Sequence, residues 1–180
     1  KGKSIRGGIP VLFPICGDLP GDIFQLTKGD YILKQHGFAR DSVWQIKPIN
    51  DGNSFLLSFQ DNQVSRAIYP YSFLVEIEVK LERNSLDFSI AVQNRSEEKM
   101  PFSFGLHPYF NVTDLQKTRI EGLPSTAIDH ANKMEVETEL LLEKIAEGVD
   151  FLCAPSKPVA LVDTSAGNRL HLQQEGPMDL

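Results

Sequence analysis

The chain has 180 residues, 41% of them hydrophobic and 23% charged, the balance of an ordinary globular protein with a sizeable core. Its formal net charge of -6 argues against a nucleic-acid or anionic-membrane partner, because both need clustered Lys and Arg. No apolar run approaches the roughly 20 residues that a membrane helix needs, and the polar opening Lys1-Gly2-Lys3-Ser4 is not expected to be a signal peptide. In chain order, strands are predicted at 31–35, 43–49 and 54–60, with Asn50-Asp51-Gly52-Asn53 as a turn between the last two. Ser65 to Pro70 is too short to be more than a turn. From Phe73 to Glu82 the alternation is strict: Phe73, Val75, Ile77, Val79 and Leu81 share one face, and Glu76, Glu78, Lys80 and Glu82 the other. That period of two marks a half-buried strand. Leu86 to Asn94 repeats it after the short turn Arg83-Asn84-Ser85, which predicts a hairpin. Further strands are predicted at 101–106, 117–121, 158–163 and 168–173, with Ser165-Ala166-Gly167-Asn168 turning between the last two. Thr138 to Ala146 fits a short helix or a strand and turn. Many short strands with regular turn punctuation predict an antiparallel sandwich or barrel. No repeat or linker divides the chain, so one domain over 1–180 is expected.

Cys16 and Cys153 are the only cysteines. Two widely spaced thiols in a chain of this size are expected to be buried, free and in a reducing cytoplasm. No paired-Cys spacing suggests a metal.

Three segments carry residues that a strand framework does not require. The first runs Ser4-Ile5-Arg6-Gly7-Gly8-Ile9-Pro10-Val11-Leu12-Phe13-Pro14-Ile15-Cys16-Gly17. Its paired glycines let backbone approach a ligand, and the planar fork of Arg6 suits phosphate or carboxylate. A glycine bulge beside a solvated Arg fits the same residues. The second is Lys34-Gln35-His36-Gly37-Phe38-Ala39-Arg40-Asp41, where a histidine able to donate or accept a proton near neutral pH follows a strand. The third is Pro101 to Phe110, where Pro108 restricts His107 to extended backbone and Tyr109 and Phe110 can wall a pocket. Each histidine alone also fits a structural or merely exposed role. His130 and His171 lack such surroundings and read as surface or strand residues.

Taken together, IRGGIPVLFPICG at 5–17, QHGFAR at 35–40 and FSFGLHPYF at 102–110 resemble the aldose 1-epimerase superfamily, and most closely its hexose-6-phosphate 1-epimerase-like branch. Glu147-Gly148-Val149-Asp150-Phe151-Leu152 is a weaker match to the family's sugar-binding Asp segment. The resemblance implies an all-β fold, the galactose mutarotase-like antiparallel β-supersandwich. It also implies interconversion of α and β anomers of an aldose or aldose 6-phosphate, by acid–base ring opening without metal or redox cofactor. His107 matches the acid histidine and His36 the second active-site histidine. Arg6 and Arg40 match the positions that hold a sugar phosphate, Asp150 matches the contact to sugar hydroxyls, and Gln35 is a further candidate contact. The family's base is a Glu in a late strand, and nothing in 160–180 matches its segment. Glu175, before Gly176-Pro177, lies in a turn-like context and is not promoted. The chain opens inside the first motif and closes on Gly176 to Leu180 without a finished element. It is therefore expected to be a fragment lacking N- and C-terminal strands, with the base beyond Leu180. No partner beyond a small-molecule sugar or sugar phosphate is implied, and no residue pattern specifies an oligomeric state. A non-catalytic carbohydrate-binding module on the same fold, or a structural β-domain within a larger enzyme, is the competing reading.

Overall fold

The computed structural model describes residues 7–49, 52–155 and 157–176. It divides the chain into two compact units, Lys1–Tyr109 and Phe110–Leu180.

In the first unit the strands are β1 (Val11–Leu12), β2 (Ile23–Leu26), β3 (Gly29–Ile32), β4 (Gln45–Ile49), β5 (Ser54–Gln60), β6 (Phe73–Leu81), β7 (Leu86–Asn94) and β8 (Gly105–Leu106), with helix α1 (Gln63–Ile68) between β5 and β6. Strands β4, β5, β6 and β7 form one antiparallel sheet in that order, while β2 pairs with β3 and β1 with β8. The predicted 73–82 and 86–94 strands are β6 and β7, in register from Phe73–Asn94 to Leu81–Leu86. Pro48 lies in β4 at the sheet's edge, where its missing N–H costs no internal ladder bond.

Alternation along β6 decides its buried face, but burial grades along the strand. Phe73 and Val75 are 0% exposed and Ile77 is 2%, whereas Leu81 is 57% exposed. The cause is where the aromatic core sits. Phe13, Phe38, Phe59, Tyr69 and Phe73 pack edge-on or tilted around the Phe73 end, with centroids 5.0–6.4 Å apart. Strand β7 departs from expectation: Phe88 and Val92 are half-buried but Ile90 is 41% exposed. It is an edge strand, with a neighbour on one side only among the described residues.

Two further corrections concern local structure. Residues 65–70 hold the end of a true helix, not merely a turn. Asn62 caps it, accepting from the Val64 and Ser65 N–H groups, while the Ser65 hydroxyl accepts from the Asn62 N–H. The strand predicted at 101–106 is ordered as strand only over β8.

Asp61, just before that cap, ties the helix to the sheet. Its side chain is 5% exposed. The carboxylate accepts from the Phe73 N–H (2.8 Å), the Ser72 hydroxyl (2.9 Å) and the Arg66 guanidinium. Burial acts to raise its pKa, but the Phe73 N–H, the Ser72 hydroxyl and Arg66 together outweigh burial and hold it below the ordinary 3.8. Asp61→Ala should therefore cost about 1–3 kcal/mol, because it leaves those donors unpaired. A folded pKa below the unfolded one gives stability that is full above the unfolded value and fades as pH falls through the folded value. The urea midpoint of the variant should thus fall less than that of the parent from about pH 5 to about pH 3. Parallel falls for both proteins would remove Asp61 from the acid response.

The second unit contains β9 (Thr118–Glu121), β10 (Thr126–Asp129), β11 (Glu135–Glu137), α2 (Thr138–Leu142), β12 (Phe151–Leu152), β13 (Val159–Asp163) and β14 (Asn168–Leu172). Two three-stranded antiparallel sheets result, ordered β11-β10-β12 and β14-β13-β9. The predicted strands at 117–121, 158–163 and 168–173 are β9, β13 and β14, and the helical option at 138–146 is realised as α2. Strands β10 and β11 have no counterpart among the predicted strands. Asp163 closes the turn after β13, accepting from the N–H groups of Thr113 (2.7 Å), Ser165 (3.0 Å) and Ala166 (3.1 Å). The Thr113 N–H is the main cause of its lowered pKa.

Cys16 and Cys153 are free, as expected, but not fully buried: Cys16 is exposed and Cys153 half-buried. Partial burial nevertheless pushes both thiols up, against the lowering effect of Ser103 on Cys16. Both are therefore weak nucleophiles near neutral pH.

Candidate active site

The three motif segments meet in the first unit, with the glycine-bearing segment in the middle. On one side, β1 pairs antiparallel with β8, Val11 opposite Leu106 and Leu12 opposite Gly105. The pairing runs on past the strands. The His107 N–H donates to the Pro10 carbonyl, the Tyr109 N–H to the Gly8 carbonyl and the Ser103 N–H to the Pro14 carbonyl, each at 2.9 Å. His107 is thus delivered by backbone register, and it is exposed. On the other side, the Phe13 carbonyl accepts from Phe38 N–H (3.0 Å) and Ala39 N–H (3.2 Å). Phe13 and Gly37 form a parallel bridge. The ring of Phe13, 0% exposed, anchors this central segment in the aromatic core, and a cis peptide joins it to Pro14.

Backbone geometry at His36 and Gly37 is unusual. Both take left-handed conformations, at φ 66° and 69°. A Cβ on Gly37 would overlap the Phe13 carbonyl, with the carbonyl carbon at 2.6 Å and Pro14 N at 2.7 Å, so only glycine fits. A left-handed histidine costs free energy and persists only where its surroundings hold it. Here the His36 N–H donates to the Gly17 carbonyl (2.7 Å) and the Gly17 N–H donates to His36 Nδ1 (3.0 Å).

The outcome is a histidine pair. The rings of His36 and His107 lie 6.1 Å apart by centroid at 62°, and the ring of Tyr109 lies 5.1 Å from His107 at 35°. Two imidazoles beside an aromatic face can donate to and protonate the oxygens of a small polar ring.

The other predicted site residues fall as follows. Gln35 and Arg40 flank the His36 segment, both exposed; the Arg40 guanidinium donates to the Gln35 carbonyl at 3.1 Å. Asp41 lies 3.7 Å from Arg40 Nε, so part of that positive charge is already offset. Arg6 lies outside the described residues. Asp150 belongs to the second unit, exposed and immediately before β12. There its carbonyl accepts from the His130 N–H (2.9 Å), and its carboxylate lies 3.3 Å from His130 Nδ1. His130 is a surface residue as read, but it has a partner that sequence reasoning missed. Sequence reasoning also missed Gly17 as a donor to His36, and Ser103, whose hydroxyl accepts from the Cys16 N–H at 2.8 Å. The motif strings contain both residues, but nothing in their spacing shows these bonds. His171 lies in β14, exposed. Among the described residues no group of three or more His, Cys, Asp or Glu is placed to hold a metal ion, and no helix is long and apolar enough to cross a membrane.

The family model described as aldose 1-epimerase matches residues 3–177, and the chain belongs to that family. A Cenchrus ciliaris protein named "Putative glucose-6-phosphate 1-epimerase" is 32% identical over 98% of this chain and 55% of its own length. A Salmonella typhimurium protein of the same name is 28% identical over 73% of this chain and 41% of its own. The chain therefore spans about half the length of the curated relatives it matches. Among solved structures, a Synechocystis protein superposes with a TM-score of 0.83 at 29% identity, over 91% of this chain and 58% of that one. A galactose mutarotase related enzyme from Lactobacillus acidophilus superposes with a TM-score of 0.68 at 22% identity, over 87% and 59%. The fold is the antiparallel, galactose mutarotase-like β-sandwich that the resemblance implied.

Proposed function

We propose that the protein is a cytoplasmic mutarotase, interconverting the α and β anomers of an aldose or aldose 6-phosphate, with the chain acting as one epimerase-like domain. The observation that carries this reading is the meeting of His36 and His107, whose segments pair with either side of residues 11–13. Opening a hemiacetal ring needs a proton delivered to the ring oxygen while another group removes the proton of the anomeric hydroxyl. His107, the more exposed of the pair, protonates the ring oxygen. His36 holds a sugar oxygen by a hydrogen bond. Rotation about the C1–C2 bond and reclosure then give either anomer. Gln35 adds a contact, and Arg6 and Arg40 hold the phosphate when the sugar carries one. The family pattern places the base carboxylate in a late strand, and no residue of 160–180 matches that segment. The second reading is a carbohydrate-binding module without turnover on the same fold.

Exchange NMR of glucose 6-phosphate and galactose, with this chain and with the full product of its gene, separates the readings. Accelerated α–β exchange supports the mutarotase, whereas sugar-dependent line broadening without acceleration supports the binding module. Arg40 tests the phosphate. Arg40→Ala should weaken glucose 6-phosphate binding by about 1.5–3 kcal/mol, the worth of a charged hydrogen bond, and galactose binding far less. Equal losses for the two sugars in a titration would remove Arg40 from phosphate recognition.

A further inference from the structure

The contact between Gly17 and His36 goes beyond positioning. A backbone N–H can only donate, so its approach to Nδ1 at 3.0 Å requires a lone pair on that nitrogen. A neutral imidazole carries one proton, which must then sit on Nε2. The reciprocal bond from His36 N–H to the Gly17 carbonyl, at 2.7 Å, and the left-handed backbone of His36 hold the ring in this relation. Gly17 itself has φ 88°, a conformation that suits glycine and turns its N–H inward to the ring.

We infer that Gly17 is a positioning residue that locks His36 as the Nε2–H tautomer, so that the neutral His36 is a dedicated hydrogen-bond donor rather than a proton acceptor. The two histidines then have unequal tasks although their rings are 6.1 Å apart. His36 donates through Nε2, and proton transfer falls to His107. The tautomer stands on the geometry alone; the identification of the acceptor as a sugar oxygen rests on the proposed function. A second bond to a carbonyl or carboxylate at Nε2 is compatible with this assignment, since such a group also accepts from Nε2–H.

Two-bond 1H–15N correlation spectra of the 15N-histidine-labelled protein, recorded above the imidazole titration, read the tautomer directly. His36 is assigned by its disappearance in His36→Gln. The expected pattern is a protonated nitrogen coupled strongly to both ring C–H protons, which identifies Nε2. A protonated nitrogen coupled strongly to Hε1 alone, or shifts averaged between the two nitrogens, would overturn the lock. Side-chain replacement tests its use. Glutamine places an amide N–H near the Nε2 position and asparagine near Nδ1. His36→Gln should therefore bind glucose 6-phosphate about 3- to 10-fold more tightly than His36→Asn, the worth of one hydrogen bond. Equal affinities would overturn the donor role. A parent protein that neither binds nor interconverts sugar would remove the proposed function, while the nitrogen spectrum still decides the lock.

Discussion

His107→Ala is expected to slow catalysed anomer exchange by about 10²–10⁴-fold, the usual contribution of a general acid, while sugar affinity changes only a few-fold. The asymmetry follows from where His107 sits. Its place in the site is set by its backbone, through the bond to the Pro10 carbonyl and the β1–β8 register, and alanine keeps both. The residue is exposed, so truncation opens no cavity in the core. What is lost is the proton donor itself, together with its ring contact to Tyr109. Polarimetry or exchange NMR measures the rate, and a titration measures the affinity. Exchange at the parental rate would move the acid to another residue. A loss confined to affinity would leave His107 as a binding contact only.

Gly37→Ala should give the largest loss of stability. Two costs add at this position. A left-handed alanine is disfavoured by about 1–2 kcal/mol, and forcing a methyl group into occupied space costs about 1–3 kcal/mol more. The occupied space is backbone, the Phe13 carbonyl and Pro14 nitrogen, which cannot rotate away as a side chain does. Gly21 is the control. It lies in the same compact unit at φ 64°, but its Cβ would meet only the Ile23 side chain, at 3.7 Å, an ordinary contact. Gly21→Ala should thus show the conformational cost alone. Urea unfolding at unchanged slope distinguishes the two variants. Similar midpoints would mean that the Phe13–Gly37 contact relaxes without penalty. Because the same contact positions His36, Gly37→Ala should also depress sugar affinity in the protein that remains folded.

The strands were legible where one physical rule governed them. Along the β6–β7 hairpin, from the Phe73–Asn94 pair to the Leu81–Leu86 pair, alternation of apolar and polar residues leaves one economical pairing, and the register follows it. Helix α1 was harder, because its signal is a cap rather than a period. Asn62 and Ser65 stand three apart, and their reciprocal bonds satisfy the first-turn N–H groups of a helix only six residues long. Short strands such as β10 and β11 carry too few residues for a period to show, and they form because each finds a partner strand.

By itself the sequence determined the all-β character, the hairpin at 73–94 and the membership that the three motif strings announce, because these depend on local periodicity and residue identity. Only the tertiary structure decided that residues 11–13 lie between the two histidine segments, and that Gly17 faces His36 Nδ1. It also decided that His130 pairs with Asp150. The Gly17–His36 and His130–Asp150 contacts span 19 and 20 positions, and the His36–His107 pair far more. Separation along a chain carries no information about which donor meets which acceptor. That choice is made by packing, here by the aromatic core around Phe13 that draws the histidine segments together.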